Sequence, residues 1–132
     1  MWSNGDDPEN VPEIGNCADG TYKARFSNEK TINAQDGYVL TAPVGKFKAN
    51  PFGLYDMHGN VFEWCEDGYT ANVYGTRKGT TVDPLETREN QMRVVRGGSW
   101  YNDPQYARSA SRWKHFQGVS NVVIGFRISM TP

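Results

Sequence analysis

The fold is decided by residues 50–65, which read NPFGLYDMHGNVFEWC. Proline and glycine punctuate the first half of this stretch and predict turns, whereas residues 61–65 alternate in the manner of a short strand. Phe62 and Trp64 share one face of that strand, and Glu63 lies on the other. The stretch therefore predicts a tight turn that leads into an extended segment with aromatic and acidic side chains.

Two carboxylates, Asp56 and Glu63, flank this turn, and a carboxylate set among aromatic side chains needs a partner. One option is a hard cation, because Ca²⁺ takes roughly six to eight oxygen ligands and a glycine-rich turn exposes backbone carbonyls. The alternatives are an ion pair with an arginine elsewhere in the chain, or a turn that is solvated. From the residues alone, all three options stay open.

Length and composition predict one domain. The chain has 132 residues, enough to bury a sizeable core, and we interpret residues 1–132 as a single unit. A net charge of −1 steers the protein toward neither nucleic acid nor an anionic membrane. Because the sequence shows no signal peptide or apolar span, we expect a cytoplasmic protein unless an upstream segment has been lost.

Glycine, proline and aromatic residues are abundant, while helical periodicity is hard to find. This composition predicts short strands and long ordered loops. We interpret residues 1–37 as irregular loop, residues 38–41 as a short strand and residues 69–91 as a surface connector. Residues 92–96 and 122–128 are two more strand candidates, which could pair and enclose the loop between them.

The loop at residues 99–121 is dense in aromatic and cationic side chains, which suits a recognition surface. The alternative is that half of these side chains belong to the core and that the arginines tie down loop carbonyls. Both interpretations stay open at this point. The residues concerned are Trp100, Tyr101, Tyr106, Arg108, Arg112, Trp113, His115 and Phe116.

Cysteine and histidine give little support to catalysis. Cys17 and Cys65 could form one bridge, but whether they pair is undecided. The acidic neighbours of Cys65 raise the pKa of its thiol and so disfavour a nucleophilic role. His58 and His115 are isolated, and a lone histidine is more often structural than a metal ligand.

Motifs in a fixed order run through nearly the whole chain: NCAD at residues 16–19, TAPVG at 41–45, residues 50–64, RVVRGGSW at 93–100 and IGFR at 124–127. Their order resembles the formylglycine-generating enzyme, or sulfatase-modifying factor, family, a branch of the C-type-lectin-like fold. The resemblance implies an α+β fold with little regular secondary structure. It also implies that the chain matches roughly the C-terminal half of the family domain, so that a second chain or the missing N-terminal half would cover an apolar face.

The resemblance implies one or two calcium ions as cofactors. Every side chain in the two implied sites offers an oxygen donor, as a hard cation requires. The first site takes the side chains of Asn16 and Asp36 with the carbonyls of Cys17 and Tyr38, and the second takes the side chains of Asp56 and Glu63 with the carbonyls of Met57, Gly59 and Val61.

The sequence departs from the family at the positions that carry the oxidase chemistry. The oxidases of the family hold copper(I) with a cysteine pair, and Asn102 and Ala107 stand at those positions here, so we expect no copper. The missing cysteine pair argues against catalysis and leaves open the question of whether the chain is an enzyme. The ligand pocket that the resemblance implies consists of Phe62, Ser99, Trp100, Asn102, Tyr106 and Arg108.

These observations predict a non-catalytic, calcium-stabilised, C-type-lectin-like binding module with a ligand groove around residues 99–116. The ligand would be a peptide, a protein or a small molecule. The alternative is a fragment or homologue of a formylglycine-generating or sulfoxide-synthase-type oxidoreductase that acts on a thiol substrate. A third hypothesis is a structural subunit whose aromatic loop packs only against its own missing half.

Overall fold

The structure, a computed structural model, contains a four-stranded mixed sheet. The structure describes residues 1–27, 31–82, 84–86 and 91–130. The strands are β1 (Phe62–Gly68), β2 (Met92–Arg96), β3 (Trp113–Phe116) and β4 (Ile124–Gly125).

β1 occupies an inner position in the sheet, whose strand order is β3-β2-β1-β4. It pairs antiparallel with β2 and parallel with β4, where Phe62 lies opposite Ile124. Phe62 is buried, whereas the next residue, Glu63, is only partly covered, as expected for a strand with one face on the core. The extended segment predicted at residues 61–65 is thus confirmed and continues to the end of β1.

The predicted pairing of residues 92–96 with residues 122–128 is wrong. β2 has the predicted bounds, but β1 separates it from β4. β3 lies within the loop that this pairing was expected to enclose, and it pairs antiparallel with β2, with Val95 opposite Trp113. The loop therefore contributes an edge strand to the sheet.

Residues 38–41 form no strand, so that prediction is also wrong. The carbonyl of Leu40 accepts a hydrogen bond of 2.7 Å from Asn16 Nδ2. The Asn60 side chain accepts from the amide of Ala42 at 2.9 Å and donates to its carbonyl at 3.2 Å. Side chains thus satisfy the backbone groups that a neighbouring strand would otherwise pair with.

Short helices interrupt the segments predicted as loop. Asp19 caps α1 (Gly20–Arg25), because its Oδ1 accepts from the amides of Thr21 and Tyr22 at 2.8 and 3.0 Å. Within residues 69–91, positions 83 and 87–90 lie outside the described residues. The remaining helices are a first 3-10 helix (Pro8–Glu13), α2 (Val73–Thr76) and a second 3-10 helix (Pro104–Ala107).

Aromatic side chains anchor the two small hydrophobic clusters of the structure. Trp2 packs with Val11 in the first, and Tyr22 packs with Trp100 in the second, with 6.1 Å between the ring centroids. No helix in the described part of the chain is long and apolar enough to cross a membrane. The predicted α+β fold, with short strands and long loops, is confirmed.

Candidate functional site

The turn at Gly59 and Asn60 packs directly against the NCAD motif. Both residues have positive φ, 80° and 65°. The amide of Asn60 donates to the carbonyl of Asn16 at 2.7 Å, and the amide of Gly59 donates to the carbonyl of Gly97 at 2.6 Å. A Cβ atom on Gly59 would lie 1.9 Å from the Asn16 carbonyl oxygen, so only glycine fits. The turn therefore holds together segments that are far apart in the sequence.

The structure brings the residues of the first predicted calcium site together. Asp36 accepts from the amide of Cys17 at 3.3 Å and from the amide of Tyr38 at 2.7 Å. Asn16 is completely buried and donates through Nδ2 to Leu40, but its Oδ1 has no hydrogen-bond partner. Among the described residues, no protein group offsets the cost of burying this oxygen.

Asp36 sits in an environment that disfavours its charge. Burial, helped by the nearby Asp19 carboxylate, raises the pKa of this carboxyl to about 7, although hydrogen bonds from the amides of Tyr38 and Cys17 act in the opposite direction. The amide of Asp36 donates to Asp19 Oδ2. Two carboxylates thus lie close together without a compensating cationic side chain in the described ion pairs.

The second predicted site surrounds a cavity of about 220 Å³, whose lining includes Asp56, Gly59, Val61 and Glu63 together with the cationic side chain of Arg127. Asp56 accepts from the amide of Gly45 through Oδ2 at 2.7 Å, whereas its Oδ1 is buried and unpaired. Met57, also predicted as a ligand, does not line this cavity but a larger neighbouring one of about 370 Å³.

Glu63 has an arginine partner, Arg127. The Arg127 Nε donates to both carboxylate oxygens at 3.1 and 3.0 Å, and Nη2 donates to Oε1 at 2.9 Å. The hydrogen bond with Glu63 is the main cause of the raised pKa of Arg127. This is the ion pair with an arginine that remained one of the three options for the turn, and the structure identifies the arginine as Arg127. A carboxylate has about four lone-pair positions, so the pair leaves Glu63 with acceptor capacity toward the cavity.

Clusters of three or more His, Cys, Asp or Glu side chains with the geometry to bind a metal are absent from the residues that the structure describes. A zinc or copper site would need imidazole or thiolate ligands of that kind. The two candidate sites instead offer backbone carbonyl oxygens, the amide oxygen of Asn16 and the carboxylates of Asp36, Asp56 and Glu63. This donor set fits calcium, which accepts backbone and side-chain oxygens alike.

The predicted ligand pocket is divided by the fold. Phe62, Ser99 and Trp100 are buried, with 6%, 1% and 9% of their surface exposed. The Ser99 hydroxyl donates to Asn102 Oδ1 at 2.5 Å, and Trp100 Nε1 donates to the carbonyl of Val122 at 3.1 Å. These buried side chains stabilise the loop from the inside. They are therefore not available to a ligand that binds at the surface.

Tyr106 and Arg108 line an open cavity of about 420 Å³, which we call the basic groove. Tyr106 meets Trp113 edge to face with 5.8 Å between centroids, and both rings are substantially exposed. The sequence placed Arg112 and Trp113 in the recognition loop but did not identify Tyr69, which approaches from the end of β1. The basic groove is lined by Tyr69, Ala71, Gln105, Tyr106, Arg108, Ala110, Ser111, Arg112 and Trp113.

The cysteines and His58 have structural surroundings. Both cysteines are free, and burial is the main cause of the raised pKa of each thiol. His58 Nε2 accepts from the amide of Ser3 at 3.1 Å, and its Nδ1 lies 2.7 Å from the carbonyl of Ala107. Since an amide only donates and a carbonyl only accepts, the ring is neutral with its proton on Nδ1. Its pKa is lowered, mainly by burial.

Glycine-dependent turns, a small mixed sheet and long side-chain-tethered loops define a C-type-lectin-like domain. Residues 2–131 match the family described as the sulfatase-modifying factor enzyme 1-like domain, and the chain belongs to that family. The resemblance inferred from the ordered motifs is confirmed.

Similar proteins include the formylglycine-generating enzyme of Thermomonospora curvata, 37% identical over 102 residues, which are 74% of this chain and 34% of that protein. The serine/threonine-protein kinase pkn1 of Chlamydia caviae is 36% identical over 117 residues, covering 87% of this chain and 19% of that protein. The solved structure of PvdO from Pseudomonas aeruginosa matches with a TM-score of 0.66 and 29% identity, covering 87% of this chain and 38% of that one. The chain thus spans about a fifth to two fifths of the length of these relatives.

Proposed function

We propose that this chain is a calcium-stabilised binding module that holds its ligand in the basic groove and does not carry out copper-dependent oxidation. The observation that carries the calcium part is a pair of buried oxygens without hydrogen-bond partners, Asn16 Oδ1 and Asp56 Oδ1. Each belongs to a different one of the two predicted sites. An unsatisfied buried polar group costs about 1–3 kcal/mol, and a cation at each site would remove that cost.

The first ion would be held by the side chains of Asn16 and Asp36 and the carbonyls of Cys17 and Tyr38. When bound, calcium is a hard cation that coordinates oxygen atoms from several loops at once. It would therefore hold together loops that no sheet connects. Its charge would also offset the burial and the Asp19 carboxylate that raise the pKa of Asp36. The second ion would be held by Asp56 and Glu63 with carbonyls of the intervening turn.

The absence of oxidase chemistry is supported by the two residues at the family's cysteine positions. Asn102 is engaged in an internal hydrogen bond with Ser99, and Ala107 has only 2% of its surface exposed. Neither side chain can bind copper(I) as a thiolate or carry electrons as a thiol. The nearest histidine to Ala107, His58, already has both ring nitrogens in hydrogen bonds.

Thermal unfolding of chelator-treated protein, with and without added CaCl₂, tests the calcium part. A hundredfold excess of calcium over its dissociation constant stabilises by about 3 kcal/mol, which in a domain of this size raises the Tm by roughly 10 °C. MgCl₂ at the same concentration should do much less, because Mg²⁺ demands a stricter octahedral geometry. A Tm that calcium does not change would overturn this part of the proposal.

A screen against peptide and glycan panels tests the binding part, since the ligand would be a peptide, a protein or a small molecule. A ligand whose binding is lost in Tyr106→Ala or Arg108→Ala supports the basic groove, while Phe52→Ala, an exposed residue outside the groove, serves as the control. Turnover of a cysteine-containing peptide in the presence of copper and oxygen would show that the protein is an oxidase and would overturn the non-catalytic assignment.

A further inference from the structure

β3 is an edge strand with free backbone groups. The amide of Gln117 donates to the carbonyl of Gln91 at 2.8 Å, which fixes the alternation of the antiparallel pair. Residues 113 and 115 therefore direct their backbone groups to β2, and Lys114 and Phe116 direct theirs outward. Among the described residues, the amide and carbonyl of Lys114 and the amide of Phe116 have no backbone partner on that side. Such an edge can accept one more strand.

Cationic side chains flank this edge and are held by aromatic rings. The Arg112 guanidinium carbon lies 4.9 Å from the ring centroid of Tyr74 and 5.5 Å from that of Tyr69. Lys114 Nζ lies 5.0 Å from the Tyr69 ring. A cation–π contact holds the side chain in place but leaves its positive charge uncancelled.

The charges around the basic groove lack acidic partners among the residues that the structure describes. No carboxylate of a described residue forms an ion pair with Arg77, Arg108, Arg112 or Lys114. Arg77 is also held by a ring, 5.4 Å from the centroid of Tyr74. None of the residues that line the groove is acidic. A local excess of positive charge is thus present on a chain whose net charge is −1.

The neighbouring cavity of about 370 Å³, which shares Arg108 with the basic groove, is a weaker candidate for a ligand, because its other charged side chains, Arg96 and Glu63, already have partners. Arg96 Nη2 donates to the carbonyl of Ser109 at 2.5 Å, and Glu63 is paired with Arg127. An incoming ligand would have to compete with these contacts.

We propose that the basic groove and the edge of β3 bind an extended acidic peptide, which adds a strand to β3 and places carboxylates beside Arg112 and Lys114. This proposal rests on the binding function proposed above and names its ligand class. A peptide main chain supplies the alternating N–H and C=O groups that the free edge requires, which a sugar or a nucleic acid does not. The exposed ring of Trp113, which lies on the opposite face of β3 from Lys114, offers apolar contacts to residues between the acidic positions.

Fluorescence polarisation with a fluorescein-labelled peptide of alternating Glu and Val residues tests this proposal. We expect binding that weakens as NaCl is raised and is about tenfold weaker in the double variant Arg112→Gln, Lys114→Gln, the equivalent of two lost charge contacts. Arg25→Gln is the matched control, because Arg25 also lies over an aromatic ring, 5.6 Å from Phe26, but does not line the groove. Unchanged melting temperatures of both variants would show that each is folded.

Two further peptides separate charge from strand pairing. A Lys and Val peptide should not bind, and N-methylation of alternate amides in the Glu and Val peptide should abolish binding, because the methyl groups block hydrogen bonds to the edge strand. Equal binding of the N-methylated peptide would overturn strand addition, and tighter binding of a sulfated oligosaccharide through Arg112 and Lys114 would overturn the peptide as the occupant. If acidic peptides fail while calcium still stabilises the protein and a panel ligand requires Tyr106, this inference falls and the proposed function stands.

Discussion

The amide of Asn60 donates a 2.7 Å hydrogen bond to the backbone carbonyl of Asn16, and this contact joins the two candidate calcium sites. The side chain of Asn60 extends the connection, since it bonds both backbone groups of Ala42. Three loops that share no sheet therefore meet at one buried asparagine. Changes at this junction should affect both sites together.

Replacing Gly59 with alanine should destabilise the protein severely. The φ of 80° costs an L-residue roughly 1–2 kcal/mol, and the new Cβ would lie 1.9 Å from the Asn16 carbonyl oxygen, so the turn must move away. We expect a loss of more than about 3 kcal/mol in the free energy of unfolding, measured by urea denaturation.

Gly53→Ala is the control for backbone conformation alone. Gly53 has a φ of 76°, but nothing lies within 4 Å of the position of its Cβ. Its substitution should cost only about 1–2 kcal/mol. Equal losses in the two variants would show that the close approach of Gly59 to Asn16 contributes nothing.

Asp36→Asn and Glu63→Gln should separate the two proposed calcium sites. Each keeps the shape of the side chain but removes a negative charge that a divalent cation requires, so calcium affinity should fall at one site and persist at the other. Isothermal titration calorimetry would show one lost binding event in each variant. Wild-type titration curves in both variants would contradict these ligand assignments.

Arg127→Gln tests whether the proposed cation shares Glu63 with the ion pair. Without the guanidinium, the Glu63 carboxylate loses its partner, so the chelator-treated variant should be less stable than the wild type. Calcium should then raise its Tm by more than it raises that of the wild type, because the cation would be the remaining positive charge at the carboxylate. An identical calcium-dependent shift in both proteins would show that the second site does not involve Glu63.

His58→Phe should destabilise the protein through two unsatisfied backbone groups. The carbonyl of Ala107 and the amide of Ser3 would lose their partner in a ring that has only 4% of its surface exposed. The expected cost is about 2–4 kcal/mol, from roughly 1–2 kcal/mol for each group. His58→Gln, which can replace one of the two hydrogen bonds, should lose about half as much in urea denaturation. If His58→Phe lowered the free energy of unfolding by less than His58→Gln does, the two hydrogen bonds of the His58 ring would not be stabilising the protein as proposed.

The two thiols should react with iodoacetamide at very different rates. Cys17 is completely buried and its pKa is raised by burial, so it should react only when the protein unfolds. Cys65 is partly exposed, so the reagent can reach it in the folded protein. Its reaction should be slowed only by the raised pKa of its thiol. Mass spectrometry after timed labelling of the wild type and of Cys65→Ser would assign each rate. Rapid labelling of Cys17 in the folded Cys65→Ser variant would contradict its burial.

The local features of the candidate sites could be predicted from the sequence. The turn at Gly59 and Asn60, the strand that follows it and the oxygen donors around Asp56 depend on neighbouring residues, whose backbone preferences act over a few positions. The order of the motifs also identified the family, and the residues Asn102 and Ala107 by themselves excluded a thiolate pair.

Only the tertiary structure decided which distant groups meet. Arg127 pairs with Glu63 across 64 positions of the chain, β1 lies between β2 and β4, and Trp100 is buried while Tyr106 lines the basic groove. Periodicity and composition do not encode such choices, because the same aromatic or charged residue suits either a core or a surface until packing removes water from one side of it. The oxygen donors proposed for calcium and the cationic loop at residues 99–121 could be read from the sequence, whereas only packing decided which side chains of that loop face solvent.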